Sequence, residues 1–141
     1  MNDIKVGEYI RTNDGIISKL KRIEFDKIDT SLKWYVFDKK EYGINIIKES
    51  YINKPYIKSH SKNIIDLVEK NDYVNGYKVI SGASDTEKEM CNGEYHKCII
   101  VESKFGEWKM VDWDIKSIVT HEQFNSIKYV LGGKEEWVKR D

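Results

Sequence analysis

The sequence predicts a mainly β protein built as two small barrels in tandem. Three observations predict it. Apolar and polar residues alternate with a period of two along most of the chain, tight-turn signals separate the alternating runs, and one order of residues recurs in both halves.

The first half begins with Val6 to Thr12, which alternates and then meets Asn13-Asp14-Gly15, where glycine accepts a positive φ cheaply. Ile16 to Phe25 is a second strand, Leu32 to Phe37 is dense in β-forming residues, and Ile44 to Ile52 is a fourth. The second half opens on Asp72-Tyr73-Val74 and Asn75-Gly76, a strong two-residue hairpin signal, followed by Tyr77 to Ile80. Lys97 to Ser103 and Glu107 to Trp113 flank a turn at Lys104-Phe105-Gly106. Ile115 to Val119 is a short strand. Thr120-His121-Glu122-Gln123 has capping-box form and predicts a helical turn over 121–125. Ile127 to Leu131 returns to strand, and Gly132-Gly133-Lys134 is expected to stop it before a tail, with Trp137 suited to a final helix.

The halves match in order. Glu8-Tyr9-Ile10, a turn and Gly15-Ile16-Ile17 parallel Asp72-Tyr73-Val74, a turn and Gly76-Tyr77. Trp34 to Phe37 parallels Trp108 to Val111, and Ile47 to Ser50 parallels Ile115 to Ile118. Such an order suits an SH3-like barrel of about five strands, in which closure protects the sheet edges. The expected units are residues 1–58 and 59–141. Between them, 53–69 starts polar and basic and ends apolar enough for a short helical turn.

At 141 residues and 12% aromatic content the chain can bury a real core. Its 24 basic and 24 acidic residues cancel, whereas a protein that tracks a nucleic-acid backbone carries a basic excess. Non-specific nucleic-acid binding is not expected. No run approaches the roughly 18 apolar residues that span a bilayer, and MNDIKVGEYIRT lacks the order of a signal peptide. A cytoplasmic protein with no membrane partner is expected, with Cys91 and Cys98 reduced.

No enzyme is expected. Cys91, His96, Cys98 and His121 lack the paired spacing of a zinc site. His60 between two serines is not a catalytic arrangement, which needs a hydrogen-bonded nucleophile and base. The pairs Glu24/Asp26 and Asp112/Asp114 suit a solvated strand face, and neither phosphate-cradling glycine motif is present. Neither a cofactor nor a metal is expected.

What remains is a pattern of basic groups interleaved with aromatics and hydroxyls. Tyr56, Lys58, Ser59, His60, Ser61 and Lys62 crowd one stretch, and an extended chain would put Tyr56, Lys58, His60 and Lys62 on one side. Stacking rings and phosphate donors of this kind suit a nucleotide-like ligand. Arg11, Arg22 and Trp34 offer the same elements in the first half, arginine because its planar fork grips phosphate by two bonds.

Three stretches, GEYIRTNDGIISKL (7–20), SKNIIDLVEKNDYVNGYKVI (61–80) and IKSIVTHEQF (115–124), resemble small proteins carried by phages, prophages and mobile elements of clostridia and related Firmicutes. The resemblance implies a role against host defence, such as sequestering a nucleotide-derived immune signal (a cyclic ADP-ribose, for example) without cleaving it. The alternative is a protein-binding adaptor or inhibitor that blocks a host protein through a β-barrel edge or groove. Stoichiometric capture needs affinity near the nanomolar range, about −12 kcal/mol, and hence an enclosed ligand. Enclosure by one small barrel is limited, so a homo-oligomer is expected.

Overall fold

The computed structural model describes residues 4–29, 33–38, 46–48, 57–123, 127–131 and 134–137. Five strands form the first antiparallel sheet: β1 (Tyr9–Thr12), β2 (Ile17–Phe25), β3 (Lys33–Phe37), β4 (Ile46–Lys48) and β5 (Ile57–Ser61). Their order across the sheet is β4-β3-β2-β1-β5. The second sheet contains β6 (Tyr73–Val74) and β7 (Tyr77–Ser81). After a separate hairpin of β8 (Glu89–Cys91) and β9 (Glu94–His96), it continues with β10 (Cys98–Ser103), β11 (Gly106–Val111), β12 (Ser117–Val119), β13 (Ile127–Val130) and β14 (Lys134–Trp137). Its order is β11-β10-β7-β6-β12-β13-β14. The chain is therefore mainly β, and both sheets are open among the described residues.

Within each sheet the first five strands in chain order lie in the same spatial sequence, fourth-third-second-first-fifth. The sequence parallel between β1/β2 and β6/β7 thus matches their positions. The aromatic strands do not match: Trp34 lies on the third strand of its sheet and Trp108 on the fourth. Ile115 to Ile118 leads into the fifth strand, whereas Ile47 and Lys48 lie on the fourth.

Turn chemistry placed the hairpins. Asn75 and Gly76 both adopt positive φ, 53° and 87°, as a two-residue loop matching strand twist requires. The Asn75 side chain also accepts from the backbone N–H groups of Lys116 and Ser117 at 2.8 and 3.1 Å, tying β12 to the same turn. Asn92-Gly93 makes the equivalent turn between β8 and β9, with φ of 51° and 83°.

Other expectations change. The basic stretch 57–61 is no connector: β5 pairs with β1 through Tyr9↔Ser61 to Thr12↔Ile57, so the boundary after residue 58 falls inside a strand of the first sheet. Asp112 to Asp114 leaves the strand as a 3-10 turn. The helical turn after Thr120 is a 3-10 turn, His121–Gln123, with 124–126 outside the described residues. Thr120 stands directly before it. Its hydroxyl donates to the Gly15 carbonyl at 2.7 Å, and the Gln123 amide donates to the Asp14 carbonyl at 2.7 Å. Gly132-Gly133 does not end the β structure, because β14 follows and pairs with β13.

Two cores lie on opposite faces of β1. Its alternation sends Ile10 into the first core with Leu20, Tyr35, Phe37 and Ile57. Tyr9 and Arg11 point the other way, on the face that Ile17 shares across the β1–β2 pair. Ile17 belongs to the second core, with Ile65, Val74, Val79, Ile99, Val101 and Ile118. Ile64 to Leu67 forms the short turn expected there, a 3-10 turn whose buried Ile64 and Ile65 join that core. Both faces of β1 are thus covered, which fixes the surroundings of Arg11.

Candidate functional site

Arg11 is fully buried, and its fork is taken up inside the protein. Nη1 donates to the Asp72 carboxylate at 2.5 Å and to the Leu67 carbonyl at 2.9 Å. Nη2 donates to the other Asp72 oxygen at 3.0 Å and to Glu122. Nε is 3.5 Å from Glu69 without completing a hydrogen bond. Asp72, also fully buried, accepts in addition from the backbone N–H groups of Glu69 at 2.7 Å and His121 at 2.9 Å. Burial alone would lower the Arg11 pKa, but the hydrogen bond and charge of Asp72, aided by Glu122 and Glu69, raise it above the ordinary arginine value.

Lys58 extends this network, with its ammonium 2.9 Å from Glu69 and 3.3 Å from Glu122. His121 lies 3.0 Å from Glu69. Burial opposes ionisation of both glutamates. For Glu69 the bonds from His121 and Lys58 outweigh it, and for Glu122 the bond from Arg11 does, so both titrate below the usual carboxylate range. Glu69, His121 and Glu122 bring ligand-type atoms within 4.8 Å of one another. Arg11 and Lys58 already pair with these glutamates, and with the buried Asp72 the cluster sets three carboxylates against two fixed cations. This cluster fastens the first sheet to the second.

The other residues singled out in the sequence disperse. Arg22 is exposed and pairs with Glu24 at 2.5 Å on the solvent side of β2. Trp34 is half-buried on β3, opposite Glu24. Ser59 sits opposite Arg11 in the β1–β5 register, half-buried. His60 Nδ1 lies 3.3 Å from Glu8, and the Ser61 hydroxyl donates to Asp66 at 2.6 Å. Tyr56 lies outside the described residues. Lys58, His60 and Lys62 thus reach three different surroundings, because the β1–β5 register slips between Arg11 and Thr12, beside Lys58, and β5 ends at Ser61.

Lys62, of this set, stands at an open cleft among the described residues. It borders a cleft of about 590 Å³ between the β1 face of the first sheet and the 3-10 turn at 112–114. Ile64 and Leu131 supply its apolar lining, while Tyr9, Asn63, His96, Asp112 and Trp113 bring rings and polar groups. Trp113 is 54% exposed, and its ring meets that of His96 edge-on with centroids 4.4 Å apart. Asp112 is fixed by the Asn63 amide at 2.9 Å and by the Trp113 backbone N–H at 2.8 Å, and His96 Nδ1 stands 3.6 Å away. The cleft is broadly open to solvent, so it would cover one side of a ligand and leave the other exposed. It offers an aromatic face, a cation and an anchored carboxylate acceptor.

Sequence reasoning missed five of these residues as site members. In the sequence Trp113 stands only at the end of a strand, His96 only among four groups that lack the spacing of a zinc site, and Asp112 only in a carboxylate pair. Tyr9 serves only as a repeat marker, and Asn63 is not singled out. Asn63 followed three residues later by Asp66 was the available sign of a turn that could aim its side chain. No known protein family, curated protein or solved structure matches the chain.

Proposed function

We propose that this chain is a non-catalytic binding protein that captures a nucleotide-derived ligand in the cleft beside Trp113. One observation carries the reading: a half-exposed tryptophan, a lysine and an anchored carboxylate border one open cleft. A base stacks on Trp113, a phosphate meets Lys62, and Asp112 accepts from a ribose hydroxyl or an exocyclic amine. Asp112 also repels phosphate, so the ligand lies with its anionic end toward Lys62. In keeping with the likeness to phage and mobile-element proteins, the role is sequestration of a nucleotide immune signal, such as a cyclic ADP-ribose, in the host cytoplasm. The repeated fourth-third-second-first-fifth strand order supports assigning the two sheets as tandem SH3-like units, with β13 and β14 appended to the second.

The test is incubation with cyclic ADP-ribose isomers and cyclic dinucleotides, followed by calorimetry and heat release. Capture predicts loss of free ligand and recovery of the intact molecule after denaturation. A new product would make the protein an enzyme, and no binding to any of these ligands would remove the reading. A second reading, blockade of a host protein, is favoured by Phe25 and Ile28, which stand 59% and 97% exposed at the far end of β2. A single stoichiometric host protein in a pull-down that Phe25→Asp abolishes would support it.

A further inference from the structure

We infer that β11 is the interface through which two copies of this chain pair edge to edge, about a two-fold axis at Trp108. Among the described residues β11 has a ladder partner, β10, on one side only, and it ends the second sheet. The loop joining them holds two residues, so Ser103 and Gly106, which close it, exchange both backbone hydrogen bonds. The alternation of an antiparallel ladder then fixes the rest. Gly106, Trp108 and Met110 bond to β10, and the N–H and C=O groups of Glu107, Lys109 and Val111 turn toward the open edge.

Outward-facing residues must meet outward-facing residues when two such edges pair. A two-fold centred on Glu107 sets Glu107 against Glu107, and one centred on Lys109 sets Lys109 against Lys109. Like charges directly opposite are destabilising. Centring on Trp108 removes both conflicts and places Glu107 opposite Lys109 of the second copy, twice by symmetry. The same register sets Trp108 against Trp108 as the non-hydrogen-bonded pair, where side chains approach most closely. It also brings Phe105, at the hairpin tip, opposite Val111 of the second copy.

The exposure pattern fits this arrangement. Trp108 is 38% exposed, Phe105 is 88% exposed, and Tyr77 packs edge-on against Trp108 with centroids 4.6 Å apart while itself 39% exposed. Glu107 is exposed and has no partner among the described residues, whereas Lys109 reaches Glu89 at 3.0 Å. In the paired edges each charge gains a facing opposite charge.

Light scattering and sedimentation of the full chain over a concentration series test the interface. The wild-type protein is expected to reach twice the mass of one chain. Glu107→Lys, which faces lysine with lysine, should weaken association at least tenfold with an unchanged circular dichroism spectrum. The exchanged pair E107K/K109E should restore it. A wild-type protein that stays monomeric throughout, or a dimer indifferent to E107K, overturns the proposal. So does a folded exchanged pair that does not recover.

Discussion

Replacing Arg11 with methionine tests whether the buried ion cluster holds the two sheets together. Methionine keeps much of the aliphatic bulk and removes the charge, leaving Asp72 fully buried with only two backbone N–H donors. Breaking a buried pair by removing one partner costs about 3–5 kcal/mol, because the remaining charge has no counterion. Total stabilities run to about 5–15 kcal/mol, so this is a large share. With a urea slope of about 2 kcal/mol/M, the unfolding midpoint should fall by about 2 M. Asp72→Asn in the same background discharges the stranded group. The double variant should therefore be more stable, by about 1–3 kcal/mol, than the two single losses added together predict. A loss from R11M below about 1 kcal/mol, the range of exposed pairs, would refute the argument, and so would simple additivity.

Three further outcomes are expected. Glu69 and Glu122 titrate below the usual range in the folded protein, so their contribution is present above the unfolded glutamate value and is lost as pH falls through the folded values. The melting temperature should drop below about pH 4, and Glu69→Gln should flatten that drop in a pH series of thermal melts. Gly15→Ala should destabilise by about 2–4 kcal/mol, from the positive φ and from overlap. Its new Cβ would stand 2.5 Å from the Thr120 hydroxyl and 2.6 Å from Glu122 Cβ. Gly76→Ala, with nothing within 4 Å, should lose only the backbone contribution in the same urea titration. Trp113→Ala should abolish ligand-induced thermal shifts while costing under about 1 kcal/mol, since the ring is half exposed. A retained shift would move the ligand out of the cleft.

Strand-rich architecture was legible because its signals are local. Period-two alternation and the Asn-Gly pairs report backbone geometry within a few residues, and they placed β2, β3, β6, β7 and β10 within a residue or two. Short polar strands escaped. β5 reads IKSHS and β9 reads EYH, so pairing with a neighbour, not an apolar face, holds them in the sheet. The reach of β14 past two glycines was hidden for a similar reason, as KEEW depends on the ladder with β13.

Partners of charged side chains are a different problem, because they come from far along the chain. Arg11 meets Asp72 and Glu122, which are 61 and 111 residues away, and no local window contains that information. Composition did hold a hint. With 24 charges of each sign, a basic residue on an alternating strand has as many carboxylates to meet as there are cations competing for them. Tyr9 and Arg11 share one face of β1 and Ile10 lies on the other, and the covering of both faces comes from distant segments that the alternation of 6–12 does not announce. A guanidinium there must find internal acceptors or unfold the site. Its fork closes on Asp72, whereas Lys62, beside Trp113 at the open cleft, meets no hydrogen-bond or ion-pair partner among the described residues.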